Sequence, residues 1–221
     1  MNTPTVLAIG VVDAERIVGS SGLNRTFASL GVRAPGDGRT WKAVTGRSDE
    51  TFRRIDPVSR ALVLAAEAAG LATVMPREHA AAAGLVFETE VGCLESDLKF
   101  AHSITAGMCD GPVFPYTLPS TCLGELALRH GLRGPTVCVS TTRAQRGIAL
   151  HEAKLLLATG ECAFVVAGCV DVLLREKASV EPVCQALVVV LAAGGLGLPG
   201  VAEWSDGAGA YERWAASFGA V

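Results

Sequence analysis

The stretch around residues 136–144 joins a predicted strand to a predicted helix, and a nucleophile would be held at such a junction. Thr136–Ser140 is rich in β-branched residues and predicts a strand, and a helix is predicted over residues 144–159. At a helix N-terminus, backbone N–H groups and the helix dipole favour an anion and lower the pKa of a thiol. The residue present is Arg143, whose guanidinium cannot act as a nucleophile at neutral pH. Because the helix dipole disfavours a cation at this position, we expect an anionic or carbonyl partner for Arg143.

The glycine-rich and histidine-containing patterns predict neither a cofactor nor a metal. Residues 195–200 match GxGxxG, but Pro199 interrupts the run, and no helix with a later acidic residue is predicted. A glycine turn after a strand is the better interpretation. The four histidines form neither HxH nor HExxH spacing, so no metal site is predicted.

The seven cysteines contain no CxxC pair. Several lie in Val-rich runs, where a free cysteine behaves as a small hydrophobic residue, and we expect reduced thiols rather than disulfides or zinc. A Cys/His pair brought together by the fold stays open. So does an acyltransferase that uses Cys109 or Cys122.

Strands alternating with helices of crossover length predict an α/β protein with a mostly parallel sheet. Residues 19–54 lack clean periodicity and are interpreted as a long surface excursion. The predicted strands are residues 6–12, 85–87, 136–140, 162–170 and 183–193. The predicted helices are residues 57–69, 93–106, 121–130 and 144–159, the first with Asp56 as its N-cap and Pro57 at its first position.

The composition excludes several classes of protein. The chain has 221 residues, is 50% apolar and 19% charged, and carries a net charge of −3, which excludes a disordered chain and gives no signal for nucleic acid. It shows no secretory signal and no apolar run of about 20 residues, so we expect a cytoplasmic protein without a membrane span. We expect one domain over residues 1–200 and an aromatic-containing tail over residues 201–221.

Residues 50–193 resemble the N-terminal half of β-ketoacyl synthases, the condensing enzymes of the thiolase fold. The most specific match is the run from Arg129 to Pro135 followed by Val139, Ser140 and Thr141. The run 114–119 is similar to a ketosynthase-like subgroup of aryl-polyene gene clusters. The other matching runs are residues 54–60, 84–95, 152–153, 160–161 and 166–171.

The resemblance implies a five-stranded, mostly parallel mixed sheet flanked by helices, and two departures from the family pattern. In the family, Ser-Thr-Ala precedes a nucleophilic cysteine, and the matched position here holds Arg143, with Gln145 and Arg146 where small residues are usual. Cys138 lies on the strand, well before that position. The chain also has about half the family length, and the two catalytic histidines of the family belong to the other half. Both departures imply a non-catalytic subunit.

The resemblance further implies a partner. We expect a chain-length-factor-like subunit of a full-length β-ketoacyl-ACP synthase in polyketide, polyene or fatty-acid elongation, with acyl carrier protein as an indirect partner. A homodimer that binds an acyl chain or carrier protein, the acyltransferase, and a gene product without function stay open. The interface strand implied by the family is Thr136, Val137, Cys138, Val139 and Ser140. The side chains expected toward an acyl tunnel or partner are Phe100, Ser103, Ile104, Phe114 and Tyr116.

Overall fold

The computed structural model of the chain describes residues 4–33, 37–75, 77–142, 145–174 and 182–194. These residues form one seven-stranded sheet in the order β3-β2-β1-β7-β6-β4-β5. All ten residues of β6 are buried, as expected for a strand that is covered on both faces. The strands are β1 (Thr5–Val12), β2 (Arg16–Gly19), β3 (Asn24–Thr26), β4 (Gly84–Thr89), β5 (Thr136–Ser140), β6 (Phe164–Leu173) and β7 (Val183–Ala192).

The predicted α/β class with a mixed sheet and flanking helices is confirmed, but the sheet has seven strands rather than five. The two additional strands are β2 and β3, which extend one edge beyond β1. The prediction of a mostly parallel sheet is wrong, because parallel pairing is confined to β4 with β5 and with β6, whereas the other four strand pairs are antiparallel. The helix-linked strands are the parallel ones, because a parallel pair needs a long crossover connection.

Helices cover both faces of the sheet. Helices α3 and α7 pack with one buried cluster, and α8 packs with the other. A short 3₁₀ turn, Phe114–Thr117, lies between α6 and α7. The helices are α1 (Thr40–Thr45), α2 (Glu50–Arg54), α3 (Pro57–Ala69), α4 (Leu71–Val74), α5 (Arg77–Ala80), α6 (Leu94–Thr105), α7 (Thr121–His130) and α8 (Ile148–Ala158).

Helix α3 illustrates how local sequence fixes an element and its packing. The Asp56 side chain accepts hydrogen bonds from the backbone N–H groups of Val58 and Ser59, and Pro57 occupies the first turn. The helix lies so close to β1 that a Cβ at Gly10 would stand 1.9 Å from the carbonyl oxygen of Ala65. The Ala-rich sequence of α3 permits this approach.

The interpretation of residues 19–54 as a surface excursion is wrong. The segment contains β3, α1 and α2, and three of its aromatic side chains, Phe27, Trp41 and Phe52, are buried in the core. Elements of three to six residues are too short to show a hydrophobic period. The aromatic residues nevertheless anchor the segment to the sheet and to α3.

Helix α8 begins later than predicted. Gly147, with φ 105°, precedes its first residue, so the helix starts at Ile148 rather than at residue 144. Its buried face is formed by Ala149, Leu150, Ala153 and Leu157, whereas Leu155 is 49% exposed. None of the helices described is long and apolar enough to span a membrane.

Three of the sequence-based expectations lie outside the described residues. These concern Arg143, the glycine-rich run at 195–200 and the tail at 201–221.

Candidate functional site

The candidate site is the β5–α8 junction, defined as the described residues 141–142 and 145–147, at the carboxyl ends of the parallel strands β4 and β5. The backbone N–H of Thr141 donates to the carbonyl oxygen of Thr89 at 2.9 Å, which continues the pairing of the two strands into the junction. Of the residues expected here, Gln145 is exposed and Arg146 is mostly buried.

The N-terminus of α8 is capped by a buried carboxylate from the neighbouring strand. Glu88, on β4, is fully buried. Its two carboxylate oxygens accept hydrogen bonds from the backbone N–H of Gly147 at 3.0 and 3.1 Å, and one also accepts from Ala149 at 2.9 Å. A helix N-terminus stabilises an anion, and here that anion is a side chain of the protein itself.

A buried ion pair lies next to this cap. The Arg146 guanidinium donates to Asp171 Oδ2 at 2.8 Å, and the two side chains are 8% and 1% exposed. Arg146 also lies 3.5 Å from a carboxylate oxygen of Glu90. Arg146 therefore has carboxylate partners within the protein.

Asp171 collects hydrogen bonds from two neighbouring strands. Its Oδ1 accepts from the Thr89 hydroxyl at 2.8 Å and from the backbone N–H groups of Glu90 and Val91 at 2.7 and 3.0 Å. Its Oδ2 accepts from the Gln185 amide at 3.1 Å in addition to Arg146. A hydrogen-bond network stabilises a buried charge only when the charged atoms have partners, and both carboxylate oxygens of Asp171 have them.

The sequence predictions missed Glu88, and they noted Arg146 and Asp171 without their pairing. One signal was available, because Glu88 and Asp171 each interrupt an apolar strand. The partners themselves are distant in sequence: Thr89 and Asp171 are 82 residues apart. Only the pairing of β4 with β6 brings them together.

The cysteines described offer little nucleophilic character. Burial raises the pKa of Cys122, and burial together with Asp97 raises that of Cys93 to about 12. Burial also raises the pKa of Cys138 on β5 and raises that of Cys169 to about 12. A thiol reacts as its thiolate, so these groups are poor nucleophiles. Among the described cysteines, Cys109 is the one with an exposed side chain.

The predicted interface strand β5 lies at an edge of the sheet. It pairs with β4 on one side, and no other described strand pairs with its second side. Thr136 and Ser140 are exposed, and the three residues between them are half-buried. An open edge presents unpaired N–H and C=O groups that can pair with another chain.

The side chains expected toward a partner divide into two groups. The ring of Phe100, on α6, packs 5.3 Å from that of Phe114, and Phe114 and Ile104 are 60% and 55% exposed. Ser103 and Tyr116 instead have structural contacts. The Ser103 hydroxyl donates to the carbonyl oxygen of Phe100 at 2.7 Å, and the Tyr116 hydroxyl donates to Glu125 at 3.1 Å.

No cluster suited to a metal ion occurs in the part of the chain that the structure describes. His102 and His151 are exposed, and the ring of His79 packs against Phe164 at 4.7 Å. His130 lies half-buried at the end of α7.

Known structures with the same fold include pairs of ketosynthase and chain length factor. The ishigamide ketosynthase/chain length factor matches with a TM-score of 0.65 and 18% identity over 90% of this chain and 64% of that one. The ketosynthase ApeO in complex with its chain length factor ApeC, from Xenorhabdus doucetiae, matches with a TM-score of 0.59 and 15% identity over 88% of this chain and 80% of that one. At these identities the likeness shows the fold.

Curated relatives match over shorter stretches. The spectinabilin polyketide synthase system protein NorC of Streptomyces orinoci is 41% identical over 64 residues, which are 29% of this chain and 3% of that protein. The non-reducing polyketide synthase adrD of Penicillium roqueforti is 32% identical over 91 residues, which are 40% of this chain and 4% of that protein. The chain thus spans only a small part of the length of these relatives.

The family assignment rests on a longer match. Residues 13–187 match the family described as "Beta-ketoacyl synthase, N-terminal domain". This range contains the strands β4 to β6, the helices α7 and α8, and the β5–α8 junction. Because the match covers more than half of the 221 residues, the chain belongs to the β-ketoacyl synthase family.

Proposed function

We propose that the chain is a non-catalytic, chain-length-factor-like subunit that pairs with a full-length β-ketoacyl-ACP synthase in polyketide chain elongation. We extend the proposal to the related pathways of polyene and fatty-acid elongation. The observation that carries the proposal is the sequence of the family motif, in which Arg143 stands at the position of the nucleophilic cysteine. A guanidinium can neither be acylated by a thioester nor take its place in condensation.

The β5–α8 junction supports a structural role. A family nucleophile benefits from the helix N-terminus, but here the Glu88 carboxylate already accepts hydrogen bonds from Gly147 and Ala149. A thiolate or an oxyanion placed beside that carboxylate would meet a like charge. The buried pair of Arg146 with Asp171 adds bulk where the family has small residues. The junction is thus built to be stable rather than reactive.

Two surfaces support a partner subunit. Strand β5 has an open edge, and the α6 region exposes a group of large apolar side chains that a monomer would keep from water. This group, the α6 apolar patch, is Ile104, Met108, Phe114 and Leu118, which are 55–68% exposed. Aromatic and methionine side chains are enriched in interface cores.

The relatives support the choice of partner. Two of the similar structures are described as a ketosynthase with a chain length factor. A third, with a TM-score of 0.57, is a type II polyketide synthase acyl-carrier protein in complex with its ketosynthase bound to the hexaketide. We extend from these to a heterodimer here, with the acyl carrier protein binding through the catalytic partner.

Co-expression tests the proposal. The tagged chain is produced with each full-length β-ketoacyl-ACP synthase of its source organism, and native mass spectrometry reads the composition of the purified species. We expect a 1:1 complex with one synthase. When acyl carrier protein and extender units are added, we expect product lengths that differ from those of the synthase alone. Synthases that purify without the chain and give unchanged products would overturn the proposal.

Surface variants distinguish a specific interface from adhesion. Thr136→Glu with Ser140→Glu charges the open edge at β5, and Asn24→Glu places the same charge on β3 at the opposite edge of the sheet. We expect the β5 variant to weaken the complex roughly tenfold or more, because like charges block edge pairing, and the β3 variant to leave it unchanged.

The α6 apolar patch has its own control. Ile104→Glu and Phe114→Glu are expected to weaken the heterodimer, whereas Leu128→Glu, at a side chain 83% exposed on α7, is expected to have no effect. If neither the edge nor the patch variants change the complex, these surfaces are not the interface.

The same samples decide between the alternatives. A mass of two copies of the chain without a synthase would favour a homodimeric binding module. A mass increase after incubation with an acyl-carrier thioester, lost in Cys109→Ser, would favour an acyltransferase. We expect neither result.

A further inference from the structure

A cavity of about 430 Å³ lies at the end of the sheet opposite the β5–α8 junction. Its walls come from the segment that precedes β4 and from the connection between α7 and β5. Because β4 and β5 are parallel, the segments preceding both meet at one end of the sheet, and the segments following them meet at the other. The cavity is therefore separate from the β5–α8 junction.

The rim of the cavity is cationic and its floor is apolar. Arg77, Arg129 and Arg133 line it together with His130, and no aspartate or glutamate is among the described lining residues. Buried Met75 and Leu132 form part of the floor. Although the net charge of the protein is −3, three arginines line this one concave site. Such a local concentration of positive charge is suited to binding an anion.

Arg129 carries a charge that the protein pairs incompletely. Its Nη1 donates to the carboxylate of Asp49, and its guanidinium lies 5.5 Å from the centre of the Trp41 ring. Its Nε and Nη2 are buried and have no hydrogen-bond partner among the described residues. The guanidinium thus keeps a positive charge beside the cavity that it lines, and that charge attracts an anion through space.

His130 adds a neutral hydrogen-bond donor to the same wall. Burial and the charge of Arg129 lower the pKa of its imidazole to about 4, so the ring is neutral near pH 7. A neutral imidazole carries one N–H, which an anionic oxygen can accept. The wall thus combines fixed positive charge with a polarised donor.

We propose that this cavity binds a small organic anion, with a phosphate or carboxylate group held between Arg77, Arg133 and the Arg129–His130 pair, and a short apolar portion resting on Met75 and Leu132. The volume lies within the range of small-molecule sites. The inference does not depend on the proposed function, because the cavity and the β5–α8 junction lie at opposite ends of the sheet.

Titration calorimetry with four probes tests the site: inorganic phosphate, n-butyl phosphate, butyrate and neutral n-butanol. We expect saturable binding of butyl phosphate or butyrate, with butyl phosphate tighter than inorganic phosphate and no binding of butanol. Tighter binding of butyl phosphate would identify the anionic group as a phosphate, and tighter binding of butyrate would identify it as a carboxylate. During the titration, the imidazole resonances of His130, assigned with His130→Gln, are expected to shift.

Paired arginine variants locate the site. Arg77→Gln with Arg133→Gln removes two exposed cationic groups of the rim, and Arg25→Gln with Arg54→Gln removes two exposed arginines elsewhere. We expect the first pair to weaken binding roughly tenfold or more and the second to leave it unchanged. The proposal would be overturned if no probe bound at about 10 mM, or if the two double variants bound the probe with equal affinity. Equal binding of inorganic phosphate and butyl phosphate would overturn it as well.

Discussion

The carboxylate of Glu88 accepts a hydrogen bond from the backbone N–H of Ala149 at 2.9 Å, although 61 residues separate the two positions. The Glu88 side chain projects from β4, and the N–H group of Ala149 belongs to the first turn of α8. A single carboxylate therefore ties the first turn of α8 to β4, the neighbour of the edge strand β5.

Glu88→Ala is expected to destabilise the protein by about 1–3 kcal/mol, because it leaves buried N–H groups at the start of α8 without their acceptor. Urea unfolding followed by circular dichroism measures the loss. Glu88→Gln keeps one acceptor oxygen and is expected to lose less. Equal stability of the alanine variant and the wild type would contradict the capping role.

Arg146→Met is expected to cost about 3 kcal/mol, because it leaves the buried carboxylate of Asp171 without its cationic partner. The same urea measurement applies, with Arg133→Met as the control for loss of an exposed arginine.

A double-mutant cycle with Asp171→Asn isolates the ion pair from the other hydrogen bonds of Asp171. Arg146→Met is expected to cost less in the Asp171→Asn background than in the wild type, because the neutral amide does not need a counter-charge. Identical costs in the two backgrounds would mean that Arg146 and Asp171 are not energetically coupled.

Stability is expected to fall as the pH is lowered from about 6.5 toward 4, in part because of His130. Its folded pKa of about 4 lies below the ordinary value of 6.5, so the unfolded chain takes up the proton first. The contribution is fully present above pH 6.5 and is lost as the pH falls through this window. It amounts to about 2 kcal/mol once partial exposure is allowed for.

Urea midpoints measured across this pH range check the effect of His130. His130→Gln is expected to show a flatter dependence on pH than the wild type. His151→Gln, at an exposed position, is the control and is expected to reproduce the wild-type slope.

Thiol labelling of the native protein is expected to modify Cys109 first. Cys109 is exposed, whereas burial raises the pKa of Cys122 and of Cys169. Mass spectrometry after brief treatment with iodoacetamide reads the site. Cys109→Ser is expected to remove the fast reaction, and fast labelling of Cys122 would contradict the buried position of its side chain.

The elements with strong local signals could be predicted from the sequence. Thr136–Ser140 and Thr121–His130 have the predicted bounds, because a β-branched run and a glycine stop after His130 leave few alternatives. The family was likewise identified from short motifs, because their order and spacing are specific.

The features that depend on tertiary pairing could not be predicted. Glu88 and Asp171 are charged residues inside strands, and local pattern alone assigns such residues to the surface. Their burial becomes favourable only when the N-terminus of α8 and the side chain of Arg146 arrive from elsewhere in the chain. Residues 19–54 were misinterpreted for a related reason, since Phe27 and Trp41 are buried by distant elements.

The position of β7 in the sheet has a consequence for folding kinetics. The first strand along the chain, β1, pairs with β7, so that Thr5 lies opposite Ala192. Strand β7 also joins the β3-β2-β1 group to the β6-β4-β5 group. Contacts between such distant segments slow folding, because a long loop must close before they form. During synthesis, the two groups of strands can assemble separately, but the sheet becomes continuous only after Val183–Ala192 has left the ribosome.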